Sequence, residues 1–290
     1  MKIPKPKHFN FQACLDFLNR GYDECLYLVN DSFVRRLIRI TSGLVFIEIS
    51  SDSININIRA HREASTYDKE EILIYVKEWF DLERDLSEFY VLMKKHQQTK
   101  DFPIDYQGLR LMGIVDLFEA LCWCVIGQQI NLTFAHKIKT RLVHKYGESI
   151  EVKGQKYHIF PTPQTLLNAK KEDLVAMQFS KQKINYIHNI SQAFCNNELN
   201  KDELLKLPKS QQMDKLLAIK GIGPWTANYV SMKSLRDMTS IAYGDTGLSL
   251  SLHQVFDTER KPDKNTIDSV FKPFAGWESY LNFYLWKTLS

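Results

Sequence analysis

Asp245 stands in Tyr-Gly-Asp-Thr-Gly-Leu, twenty residues after Trp225 in Gly-Ile-Gly-Pro-Trp-Thr-Ala-Asn-Tyr. A lone Asp among glycines is ordinarily a turn residue. The upstream residues change that expectation. Ala-Ile-Lys-Gly-Ile-Gly-Pro sets Gly221 and Gly223 in a tight turn between apolar-periodic segments, and Pro224 suits the first position of a helix. The pattern is helix, hairpin, helix over about 212–234. Backbone N–H groups at such a hairpin have no helical partner and can bind an anion such as a phosphate. Asp245 falls where a further helix can begin, and there the helix dipole favours negative charge. A phosphate clamp followed at this distance by one carboxylate suggests an enzyme that grips a nucleic-acid backbone and works on the nucleotide it holds.

Trp225 and Tyr229 are four apart on the second hairpin helix and share a face. Electron-rich rings stack on a cationic group through cation–π attraction of about 0.5–2 kcal/mol. Core packing is the ordinary use of such a pair. Upstream, Gln128-Gln129-Ile130-Asn131 sits between two helical stretches, where a plain helix–helix turn is the alternative to a functional loop.

With Gly221 to Tyr229, Asp245 and Gly127-Gln128-Gln129-Ile130, the chain resembles the helix-hairpin-helix DNA glycosylases, and among them the bacterial 3-methyladenine DNA glycosylase II (AlkA-type) branch. The resemblance runs from about Asp105 to Trp286 and is weak over the first hundred residues. It implies a monofunctional glycosylase that flips out alkylated purines of damaged double-stranded DNA and leaves an abasic site. Asp245 would be catalytic, and Gln128, Trp225, Tyr229 and Trp286 would line the base pocket. Thr246 replaces a tyrosine of the best-known pattern and makes one wall smaller. Gly221, Gly223, Lys220 and Thr226 would meet DNA, although Lys220 stands where the family often has proline. Gln129 would be the wedge that fills the emptied stack, with Ile130 beside it. The resemblance also implies a structural monovalent cation on the carbonyls of Leu217, Ile219 and Ile222, and no required cofactor.

Trp225 occupies the position of the nucleophilic lysine of the lyase members, and an indole cannot form a Schiff base. A second carboxyl acid is not needed either, because an alkylated purine already carries positive charge, so Asp237 and Asp257 are expected as surface or capping residues. No cysteine follows Cys195, which excludes the four-cysteine iron-sulfur cluster of some relatives. The histidines form no H-E-x-x-H or Cys/His ligand set. Two rivals remain: a glycosylase/lyase, and a non-catalytic helix-hairpin-helix protein that binds DNA structure without needing Asp245.

The rest of the chain must position these groups. Its 290 residues, 44% of them hydrophobic, allow two or three sub-domains. Five cysteines, no secretory h-region and no apolar run long enough for a membrane lead us to expect a reduced, cytoplasmic, nucleoid-associated monomer. A net charge of +4 permits nucleic-acid binding without requiring it. We expect a mostly α fold, with an α+β domain over 1–100 and a helical glycosylase domain over 101–290. Residues 33–40, 44–49 and 54–58 read as a small antiparallel sheet, 70–80 and 82–95 as helices, and 94–100 as a linker. Asp116 can cap a helix over 117–126 that Gly127 stops. A second helix, 132–146, closes at Gly147 and carries Lys137, Lys139, Arg141 and Lys145, either a solvated face or a basic strip along a duplex. Shorter helices follow Phe160-Pro-Thr-Pro163.

Overall fold

The computed structural model describes residues 1–289, apart from the side chain of Pro103. Its N-terminal part is a five-stranded antiparallel sheet in the order β1-β5-β4-β3-β2, from β1 (Lys2–Pro4), β2 (Tyr27–Asn30), β3 (Phe33–Ile40), β4 (Gly43–Ser51) and β5 (Asn55–Ala60). Side-chain alternation fixes its register. Val34, Ile49 and Ile58 lie opposite one another on the buried face, while Arg35 pairs with Glu48 at 2.7 Å on the other. The two edge strands, three and four residues long, are too short to alternate visibly in the sequence.

Helix α1 (Phe11–Leu18), capped by the Asn10 side chain, joins β1 to β2. After the sheet come α2 (Thr66–Trp79), opened by a Ser65/Asp68 capping box, then α3 (Ser87–Lys95) and α4 (Phe102–Asp105). The expected linker at 94–100 is instead an ordered turn. Thr99 is fully buried there, and its hydroxyl donates to the Met93 carbonyl at 2.8 Å.

Asp116 caps α5 (Leu117–Gly127) as expected, and α6 (Leu132–Tyr146) ends at Gly147. A short hairpin, β6 (Ser149–Val152) with β7 (Gln155–His158), follows. The remaining helices are α7 (Pro163–Leu167), α8 (Lys171–Ala176), α9 (Lys181–Cys195), α10 (Lys201–Leu205), α11 (Lys209–Leu217), α12 (Pro224–Lys233), α13 (Thr246–Phe256), α14 (Lys264–Phe271), a 3-10 turn (Lys272–Phe274) and α15 (Glu278–Lys287). Among the described residues no helix is long and apolar enough to cross a membrane.

Buried side chains form two large clusters that do not follow chain order. One joins the sheet and α1–α3 to Leu248, Leu252, Phe271 and Tyr280–Leu285 of the last helices. The other fills the space among α5, α6, α9, α11 and α12. The core of the first hundred residues is therefore shared with the last helices. Helix α12 lies on the seam: Val230 belongs to one cluster, Met232 to the other, and Tyr229 packs against both. Ion pairs cross the same seam, with Arg36–Glu119 at 2.8 Å and Arg236–Asp81 at 2.6 Å.

Candidate active site

The hairpin between α11 and α12 is shaped by Gly221. Its φ of +112° suits glycine alone, and an added Cβ would come within 2.5 Å of the Tyr186 ring on α9. Asn189, one turn further along α9, donates to the Lys220 carbonyl at 3.1 Å. Gly223 differs. Its φ of −98° suits any residue and a Cβ there would meet nothing within 4 Å, so its bareness faces outward. Pro224 opens α12 without a side-chain cap. Among the described residues the N–H groups of Gly221, Gly223, Trp225 and Thr226 form no backbone hydrogen bond. Lys220 is exposed beside them.

The expected DNA contacts divide here. Thr226 is 2% exposed, so its hydroxyl is not presented to DNA. The basic strip on α6 is mostly spoken for: Lys139 is buried on Glu24, Arg141 donates to Gln178 and Lys145 pairs with Asp173 at 3.4 Å. Lys137 stays exposed. Asp237 accepts Lys209 at 2.7 Å, and Asp257 closes α13 in a left-handed conformation, so both are structural.

From the hairpin an aromatic row leads to the carboxylate. Trp225 and Tyr229 have ring centroids 5.5 Å apart, and Tyr229 and Trp286 of α15 are 5.9 Å apart. Trp286 donates its indole N–H to Asp245 Oδ1 at 2.8 Å. Asp245 is the N-cap of α13, its Oδ1 also accepting the Leu248 N–H at 2.7 Å. Thr246 follows, exposed at the first turn. Burial pushes the Tyr229 hydroxyl up, so it stays a neutral donor, with Trp123 among its neighbours. The Trp225 indole N–H is buried and, among the described residues, has no partner, a donor held in reserve beside the row.

On the far side, Gln128 ends α5 and Gln129 protrudes at φ +58°. Ile130 packs partly into the second core, which leaves Gln129 as the exposed tip of the turn. Lys183 ties this turn down by donating to the Ile126 carbonyl at 2.7 Å.

Sequence reasoning missed the N-terminal contribution. Tyr22 stacks on His136 at 4.7 Å and His136 meets Trp123 at 4.8 Å. Burial, then Lys139, lowers His136 to about 4, so it is neutral. Arg20 lies 4.3 Å over Phe17, which packs on Phe283 at 4.6 Å. Trp123 was hidden inside a continuous apolar run, and Arg20 and Tyr22 lie in a loop with no motif. Buried Lys233 sits between Phe17 and Phe283 and donates to the Met112 carbonyl. Burial, then Arg20, lowers its amine to about 7. The amine is enclosed and lies two helical turns beyond Trp225.

This fold and hairpin define a class. The description HhH-GPD superfamily base excision DNA repair protein matches residues 122–275, and 8-oxoguanine DNA glycosylase, N-terminal domain, matches 29–121. The chain belongs to the HhH-GPD superfamily of base excision DNA repair proteins. Over 99% of its length it is 37% identical to the DNA-3-methyladenine glycosylase of Bacillus subtilis, covering 96% of that protein. The 3-methyladenine DNA-glycosylase of Archaeoglobus fulgidus superposes with a TM-score of 0.87 at 22% identity, over 99% of this chain and 97% of that one. The apo 8-oxoguanine glycosylase/lyase of Clostridium acetobutylicum gives 0.72 at 20% identity, over 98% and 97%. At these identities the two structures share the fold.

Proposed function

We propose that the protein is a monofunctional DNA glycosylase that removes alkylated purines of the 3-methyladenine type from duplex DNA. The observation that carries this is Asp245, a helix-capping carboxylate bound through Oδ1 and placed at the end of an aromatic row. The duplex backbone docks on the free N–H groups of the hairpin, where bare Gly223 admits a close phosphate. Gln129 enters the stack as the base swings out, and its amide can hydrogen-bond the orphaned partner. The extruded base lies along Trp225, Tyr229 and Trp286, bounded by Gln128 and Thr246. Cation–π attraction favours a positively charged lesion. An acceptor on the base would satisfy the Trp225 N–H.

Cleavage follows from charge. The N9–C1′ electron pair leaves with the cationic purine and neutralises it, and the sugar becomes oxocarbenium-like. Oδ2 of Asp245 faces that charge. Water adds at C1′ and gives up its proton, leaving an abasic site. No amine takes part, because Trp225 holds the lyase position and Lys233 is enclosed. The carbonyls of Leu217 and Ile222 accept no hydrogen bond among the described residues, while that of Ile219 accepts the Ile222 N–H at 3.0 Å. They suit a monovalent cation that would reinforce phosphate binding; the chemistry needs no cofactor. We read the enzyme as a monomer that acts on double-stranded DNA in the cytoplasm.

The test is free-base release from methylated duplex, with strand integrity followed without alkali and borohydride added in parallel. Released purine, intact strands and no trapped adduct are expected. A trapped adduct would point to a lyase, and DNA binding without release to a structural reader.

A further inference from the structure

A carboxylate held by one donor turns about its last torsion, which is broad and roughly two-fold. Asp245 is held by two. The Leu248 N–H at 2.7 Å and the Trp286 indole N–H at 2.8 Å both reach Oδ1, within the range of charge-assisted hydrogen bonds. One donor lies in the helix that Asp245 caps and the other on α15, so the carboxylate plane is fixed from two directions. Among the described residues no donor reaches Oδ2.

Gly247 explains how the indole comes so close. It lies in the first turn of α13, where glycine costs about 1 kcal/mol relative to alanine. Its backbone does not need glycine, since its φ is not in the left-handed region. A Cβ there would lie 3.1 Å from Asp245 Oδ1, 3.4 Å from Trp286 Cδ1 and 3.5 Å from its Nε1. An added Cβ would crowd the hydrogen bond, whereas the helix itself would accept one.

We propose that Trp286 and Gly247 are positioning residues for Asp245: the indole N–H anchors Oδ1 so that Oδ2 alone faces the sugar, and Gly247 gives the clearance for that anchor. This rests on the glycosylase reaction assigned to Asp245. It separates two roles of one side chain. A pocket wall acts on the base and matters most for cationic lesions. An anchor acts on the carboxylate, and its loss slows release of every base by the same factor.

The experiment is single-turnover release of 7-methylguanine, a cationic base, and of hypoxanthine, a neutral one, by wild type, Trp286→Phe, Gly247→Ala and the double variant. Asp245→Asn is the control, and affinity for an abasic-site duplex is measured for each. Trp286→Phe keeps an aromatic ring against Tyr229 and removes the donor together with the five-membered ring that carries it. It is expected to lower the release rate about 10- to 100-fold on both bases, with affinity unchanged. Gly247→Ala shifts the rate in the same direction, and the double variant loses less than the product of the two, because both act through Oδ1. A wild-type rate in Trp286→Phe, a loss confined to the cationic base, or a loss matched by DNA affinity overturns the proposal. If Trp286→Phe does not fold, a full rate in Gly247→Ala overturns it alone. Release by Asp245→Asn at the wild-type rate refutes the glycosylase assignment itself.

Discussion

Replacing Gly221 by alanine attacks the hairpin at its tightest point. Two costs are separable. A φ of +112° is strained for any residue with a Cβ, at about 1–3 kcal/mol. The new methyl would also lie 2.5 Å from Tyr186 Cγ and 2.7 Å from its Cβ and Cδ1, and overpacking of this kind costs about 1–3 kcal/mol. The sum, about 2–6 kcal/mol, is a large share of the stability of a typical domain. Either the chain unfolds at lower urea, or the hairpin opens away from Tyr186 and its N–H groups turn from the phosphate. Urea unfolding and affinity for an abasic duplex together see both outcomes. Tyr186→Ala in the Gly221→Ala background removes the clash and leaves the φ cost, so the pair should show a coupling of about 1–3 kcal/mol. Unchanged stability and affinity in Gly221→Ala would refute the account of the hairpin, and zero coupling would acquit Tyr186.

Other consequences follow from buried charge. Lys233 releases its proton near pH 7 in the folded chain and near 10.5 in the unfolded one, so the unfolded state binds more protons between them and stability from this group rises with pH over that window. Lys233→Met should remove that slope, read as the wild-type minus variant urea midpoint from pH 7 to 9. His136 titrates near 6.5 unfolded and about 4 folded, so its contribution is lost as pH falls through that interval. His136→Phe, which keeps a ring between Tyr22 and Trp123, should lose less stability than wild type on acidification. Asp81 accepts Arg84 at 3.0 Å, Arg236 at 2.6 Å and Tyr280 at 2.6 Å. Asp81→Asn should cost about 3 kcal/mol in chemical denaturation, because two guanidinium groups lose their carboxylate.

Much of this was legible in the sequence because local chemistry decided it. Asp116, Asp245 and Pro224 mark helix starts by their own side chains, and the alternation of β5 fixes its register against β4. What escaped depends on distant partners. Lys139 looks like a free base until Glu24, far away in sequence, closes on it at 2.6 Å. Thr226 sits in the hairpin motif, yet its side chain turns into the core. No periodicity could show that the last helices share a core with the first sheet. The link between Trp286 and Asp245 joins residues 41 apart in sequence on different helices, and it is a matter of packing alone.

The most direct test of the central claim is base release from methylated duplex by Asp245→Asn beside wild type. The amide keeps the shape of the side chain and an acceptor for Leu248 and Trp286, and it removes the charge. The account predicts that the variant binds damaged DNA with near wild-type affinity and releases no base above background, while wild type releases purine and leaves the strand intact. Release by the variant at the wild-type rate would contradict it and return Asp245 to the role of a helix cap.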